Sequence, residues 1–126
     1  MTQVKWGIIG CGDIVRKRVA KAIQEDPRSD LIAVCRRNQS KLKEFCSTFG
    51  VSRAYSRAQD LIADSDIDAV YVATPVVLHR SQTIDAAQAG KHVLVEKPMA
   101  LTAVECEQME TICQDAQVKL GVAYYR

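Results

Sequence analysis

The 126-residue chain is 48% apolar and carries 17 basic against 15 acidic residues, for a formal net charge of +2. That near balance argues against general nucleic-acid or membrane-surface binding, which draws on a larger basic excess. No apolar run approaches the roughly 20 residues that cross a bilayer, and the length fits one domain over residues 1–126.

Val4 to Ile9 is a short apolar run that ends in glycine and reads as a buried strand, not as part of a signal peptide. Asp13 to Gln24 follows as a helix, with Val15, Val19, Ala22 and Ile23 at helical spacing, and Asp26-Pro27 breaks it. Leu31 to Cys35 is a second buried strand. Lys41 to Phe49 carries Leu42, Phe45, Cys46 and Phe49 on one helical face, with Gly50 placed for a C-cap. Ala54-Tyr55 reads as a brief third strand. Ser56-Arg57-Ala58-Gln59 has capping-box form and opens a short helix with Leu61 and Ile62 inward. Ala69 to Ala73 is a strand, Leu78 to Ala89 a helix closed by Gly90, and His92 to Val95 a strand. Thr102-Ala103-Val104-Glu105 is a second capping box, whose helix is expected to bury Met109, Ile112, Cys113 and Ala116; Lys119 to Tyr125 is the last strand.

Helices alternate with uniformly apolar strands, the pattern of a parallel sheet covered on both faces. The expected fold is therefore α/β, a doubly wound sheet of about six strands in the order 3-2-1-4-5-6. Five cysteines, Cys11, Cys35, Cys46, Cys106 and Cys113, give an odd count without C-x-x-C spacing. A disulfide framework or metal site is not expected, and the chain reads as a reduced, cytoplasmic protein. Cys46, Cys106 and Cys113 read as small core hydrophobes on helices.

The first chemical signal is Gly10-Cys11-Gly12-Asp13-Ile14-Val15, directly after the first strand and opening the first helix. Gly10 permits the tight turn. Gly12 lets a pyrophosphate approach the backbone, and the helix N-terminus then faces its charge. Val15 stands where the pattern has a third small residue. Asp13 reads as favourable charge at a helix N-terminus, pointing away from the ligand. The second signal closes the second strand: Cys35-Arg36-Arg37-Asn38 places two guanidiniums where a domain selecting NAD has a carboxylate for the ribose hydroxyls. Arg36 and Arg37 suit bidentate pairing with a 2′-phosphate, so NADP is the expected cofactor, with NAD the lesser choice. The third signal is Ala73-Thr74-Pro75 with His79 beyond it, at the carboxyl end of the fourth strand, where such folds bind ligands. The fourth is Glu96-Lys97-Pro98 at the end of the fifth strand, which sets a carboxylate and an ammonium where a nicotinamide would lie. A lysine there can bind a substrate oxygen and help move its proton.

Taken together, GIIGCGDI, DAVYVATPVVLH, AGKHVLVEKPMA and GVAYYR, in that order along the whole chain, resemble the glucose–fructose oxidoreductase / inositol dehydrogenase / rhizopine catabolism family. The EKP tripeptide after A-G-K-H-V carries most of that resemblance. It implies an NAD(P)-binding half that holds cofactor through Gly10, Gly12, Asp13, Ile14, Arg36, Arg37, Ala73, Thr74, Pro75, His79, Glu96, Lys97 and Tyr125. Within that set Lys97 matches the catalytic lysine and Glu96 the nicotinamide-ribose contact, and the Lys97-Pro98 bond is often cis. The resemblance also implies a second, substrate-holding half that residues 1–126 lack, through which such proteins associate and which supplies the remaining acid and base groups. The expected partners are a nicotinamide dinucleotide and, in the complete enzyme, a small carbonyl or polyol substrate. Two readings follow: the cofactor half of an NADP-dependent oxidoreductase acting on a sugar, polyol or related carbonyl, or a stand-alone binding or sensing module without chemistry.

Overall fold

The computed structural model describes residues 3–10 and 13–123. Six strands, β1 (Val4–Gly10), β2 (Ser29–Cys35), β3 (Arg53–Tyr55), β4 (Ala69–Ala73), β5 (His92–Glu96) and β6 (Leu120–Ala123), form one parallel sheet in the order β3-β2-β1-β4-β5-β6. Five α-helices connect them: α1 (Asp13–Glu25), α2 (Gln39–Phe49), α3 (Ala58–Ile62), α4 (His79–Gln88) and α5 (Ala103–Asp115); a single 3-10 turn, Val76–Leu78, leads into α4.

Alternation along each strand divides the core between the two faces of the sheet. Ile8, Val34, Tyr71 and Ala73 pack with Val19, Ala20 and Ile23 of α1 and with Leu42 and Phe45 of α2. Ile9, Cys35, Val70, Val72, Val93 and Val95 pack on the opposite side with Leu61, Ala86 and Met109. Strands buried on both faces explain why the apolar runs in the sequence are continuous rather than alternating. The switch of faces falls between β1 and β4, where the chain reverses the direction in which it adds strands. Beside α1, Trp6, Tyr71, Leu94 and Ala123 line a shallow apolar groove of about 300 Å³.

The fold follows the expected order, with differences at particular residues. On α1 the buried alanine is Ala20, and Ala22 is exposed. Ser56 caps nothing: α3 begins one residue later than its capping-box pattern suggests, Arg57 takes the N-cap position, and no side chain caps that end. Thr102 does cap α5, accepting from the Glu105 N–H at 3.1 Å, but Glu105 reaches back to the Leu101 N–H instead of to the cap residue. An unforeseen cap starts α2, where Asn38 accepts from the Lys41 N–H at 3.1 Å. Gly50 ends α2 in the left-handed conformation, as its position suggests. The fourth helix begins at His79 rather than Leu78, because Val76–Leu78 forms the tighter turn. On α5, Met109 and Cys113 are buried, whereas Ile112 and Ala116 are half-buried. Cys46 and Cys106 are likewise half-buried. Described strand β6 stops at Ala123; Tyr124 and Tyr125 lie outside the described residues.

Polar groups fasten the sheet's far end and its β3 edge. Lys91, buried, donates through Nζ to the carbonyls of Asp64 and Ile67, both at 2.7 Å. Arg53 on β3 holds both carboxylate oxygens of Asp64 at 3.0 and 2.9 Å, and the Tyr55 hydroxyl donates to the same carboxylate at 2.8 Å. Burial pushes the Asp64 carboxyl up. The Asp66 N–H, the Tyr55 hydroxyl and the Arg53 guanidinium outweigh it, and together hold that carboxyl below its ordinary range.

Candidate cofactor site

The carboxyl ends of β1, β2, β3 and β4 surround a cavity of about 620 Å³ that crosses the switch point of the sheet. Ligands bind at this place in doubly wound folds, because the diverging connections leave a crevice there. Its floor includes Ile9, Gly10 and Cys35, one side is built by Arg36, Arg37, Asn38 and the segment from Ser56 to Gln59, and the other by Thr74, Pro75, Gln82 and Asp85.

Gly10 has a φ of +146°, and a Cβ built on it would meet the Ala73 carbonyl carbon, its oxygen and the Thr74 nitrogen, all inside 3.0 Å. A side chain at Gly10 would therefore force apart the ends of β1 and β4 that form the floor. Arg36 and Arg37 form the whole connection between the last residue of β2 and the Asn38 cap of α2. The Arg36 N–H donates to the Tyr55 carbonyl at 3.0 Å, which continues the β2–β3 pairing one residue past the strand. Arg36 is half-buried and Arg37 exposed. Local backbone bonding thus fixes where the guanidiniums start. Among the described lining residues the carboxylate is that of Asp85 on α4, on the far side.

Thr74 lines the cavity, and its hydroxyl donates to Gln82 Oε1 at 2.6 Å. His79 does not line it. The ring is 2% exposed and lies beneath the crevice, with Nε2 at 2.7 Å from the Thr74 carbonyl oxygen. Its Nδ1 lies 2.9 and 3.2 Å from the carbonyl oxygens of Pro98 and Met99. The imidazole nitrogens face backbone carbonyls, so the ring ties the end of β4 to the segment that follows Lys97. A neutral imidazole has one N–H and serves one side of this bracket; an imidazolium donates to both.

Glu96 ends β5 half-buried, and the Tyr71 hydroxyl donates to its Oε1 over a long 3.4 Å. Lys97 is exposed, and the Lys97-Pro98 bond is cis. Neither Glu96 nor Lys97 is part of the main cavity wall; they stand beyond it, past Thr74 and Pro75. Of the other residues singled out in the sequence, Gly10, Ala73, Thr74, Pro75, Arg36 and Arg37 gather at the strand ends. Gly12 and Tyr125, and the side chains of Asp13 and Ile14, lie outside the described residues. Sequence reading missed Tyr71 and Gln82, whose hydroxyl and amide give no linear signal. It also missed Arg57, which a count of basic residues near strand ends would have flagged.

Comparison with known proteins agrees with this architecture. The chain is 37% identical over 125 residues to oxidoreductase P35 of Formosa agariphila, covering 99% of this chain and 39% of that protein. It is 34% identical over 121 residues to 1,5-anhydro-D-fructose reductase of Ensifer adhaerens, covering 96% of this chain and 36% of that one. Among solved structures, the 3-ketoreductase KijD10 of Actinomadura kijaniata in complex with TDP-benzene and NADP superposes with a TM-score of 0.89 at 31% identity, covering 96% of this chain and 37% of that one. Biliverdin reductase of Synechocystis in complex with biliverdin and NADP+ gives 0.86 at 35% identity, covering 94% and 37%. The chain thus spans less than two-fifths of the length of these relatives. Residues 4–124 match the profile of the oxidoreductase family with an NAD-binding Rossmann fold, GFO_IDH_MocA, and the chain belongs to that family.

Proposed function

We propose that residues 1–126 are the cofactor-holding domain of an NADP(H)-dependent oxidoreductase that acts on a sugar, polyol or related carbonyl, and that by themselves they bind cofactor without turning over substrate. The observation that carries the cofactor reading is the Arg36-Arg37 pair in the wall of the cavity, at the strand end where a carboxylate would select NAD. The NADP complexes of two solved relatives support it, and the reductase and ketoreductase relatives support a carbonyl or polyol substrate.

The residues fit such a cofactor. Arg36 and Arg37 pair with the 2′-phosphate; Gly10 lets the ends of β1 and β4 close together into the floor; Thr74 and Pro75 line the way toward the nicotinamide end. The nicotinamide, when bound, supplies or accepts the hydride. Glu96, braced by Tyr71, accepts from a ribose hydroxyl. In the complete enzyme Lys97 would donate a hydrogen bond to the substrate oxygen, giving that oxygen a proton as a carbonyl is reduced and taking one from it as an alcohol is oxidised. His79 acts at one remove, by holding the backbone after Lys97 against Thr74.

A calorimetric titration with NADPH and NADH tests the cofactor reading. Hydrogen bonds to charged groups contribute roughly 1.5–3 kcal/mol, so NADPH should bind about tenfold or more tighter. Arg36→Asp should reverse the order. Equal affinities, or tighter NADH, would defeat the assignment.

A further inference from the structure

We propose that Arg57, at the end of β3, is a third determinant of cofactor choice, which completes a guanidinium cradle for the 2′-phosphate with Arg36 and Arg37. This rests on the NADP reading above and extends it to a residue that the glycine and strand-end motifs do not include. Three observations carry it.

Arg57 lines the same cavity as Arg36 and Arg37, so three cations converge on one crevice from two neighbouring strand ends. The strand ends are fixed relative to each other: the Arg36 N–H is bonded to the Tyr55 carbonyl, two residues before Arg57, and the Tyr55 hydroxyl is anchored on Asp64. Local structure gives no reason for an arginine at this position. It occupies the N-cap of α3, where Ser, Thr, Asp or Asn would bond a free backbone N–H and where a cation is unfavourable. Its side chain caps nothing, and its Nη2 donates to Gln59 Oε1 at 3.1 Å at an exposed site. Ser56, a residue type that caps well, is adjacent and leaves that position to Arg57. A residue that breaks a local rule beside the two arginines at the end of β2 is explained by a ligand that engages all three. A dianionic phosphate monoester does so, and its three oxygens accept from more than one guanidinium. Among the described lining residues the carboxylate is Asp85, on α4 across the cavity from the three guanidiniums.

The test uses adenosine 2′,5′-bisphosphate and AMP, which differ only in the 2′-phosphate, titrated calorimetrically into the wild-type chain, Arg57→Gln and Arg57→Lys. The proposal expects Arg57→Gln to bind the bisphosphate about tenfold more weakly with AMP unchanged, and Arg57→Lys to fall between, since lysine keeps the charge but not the planar fork. A drop in affinity that grows smaller as salt is raised belongs to the same outcome. Unchanged bisphosphate affinity in Arg57→Gln, or equal weakening of both ligands, overturns it. A wild-type chain with no preference for the bisphosphate over AMP would defeat the NADP reading itself; a preference that survives Arg57→Gln would defeat only the role of Arg57.

Discussion

Gly10 carries two demands at one position. The sequence argument assigns it to a turn that admits a pyrophosphate; the structure adds that its missing Cβ lets the Ala73-Thr74 peptide lie against β1. Gly10→Ala should therefore destabilise the fold itself by about 1–3 kcal/mol, read as a lower urea midpoint without any cofactor present. Wild-type stability in that variant would mean that the two strand ends yield without cost. Thr83 gives the opposite case. Its hydroxyl is fully buried on α4 and finds no partner among the described residues. An unpaired buried hydroxyl is costly, so Thr83→Val should raise stability by about 1 kcal/mol in the same unfolding assay. At this scale the sequence was only partly readable. Gly10 and the arginine pair announce themselves by position in a strand–turn–helix pattern. His79 does not: nothing in TPVVLH reveals that its ring nitrogens are consumed by the carbonyls of Thr74, Pro98 and Met99, because half of that bracket lies some twenty residues away.

Among the elements, strands were easier to read than helix starts. A strand buried on both faces must be apolar throughout, so Ala69–Ala73 is legible to the residue. A helix start depends on which of several small polar residues reaches a free N–H, and two patterns of similar form diverge: Thr102 caps α5, whereas Ser56 does not cap α3. Thr102→Ala should accordingly cost about 1 kcal/mol in denaturant unfolding. Ser56→Ala should cost much less, and equal costs would contradict the assignment. The β3 edge has a pH signature. Asp64 is held ionised by Asp66, Tyr55 and Arg53, so its folded-state pKa is depressed despite burial. A depressed carboxyl adds stability above the ordinary aspartate pKa of about 3.9, and that contribution is lost as the pH falls through the lower folded value. Asp64→Asn should lower stability at neutral pH and flatten the acid limb of the stability curve. A variant whose acid limb keeps the wild-type slope would show that other carboxylates dominate it.

For the molecule as a whole, the account separates holding a cofactor from using one. Hydride transfer needs the reacting carbon held about 3–3.5 Å from the nicotinamide, in line and away from water. Lys97 is exposed at the end of β5, the His79 ring is committed to backbone carbonyls, and His92, at the opposite end of β5, accepts from the Lys119 N–H. Residues 1–126 should therefore bind NADPH yet give no oxidation above the no-protein control with sugars, inosose-type ketones or dicarbonyls. A steady rate abolished by Lys97→Ala would contradict this. The central claim, that the 2′-phosphate lies among the β2–β3 guanidiniums, is open to direct observation by 31P resonance of bound NADP+ through a pH titration. A phosphate monoester loses its second proton near about pH 6, and contact with guanidiniums favours the dianion. The account predicts that the 2′-phosphate resonance of the complex keeps its dianionic position well below that pH. A 2′-phosphate that titrates as it does in free NADP+, while the pyrophosphate resonances shift on binding, would place it in solvent and contradict the account.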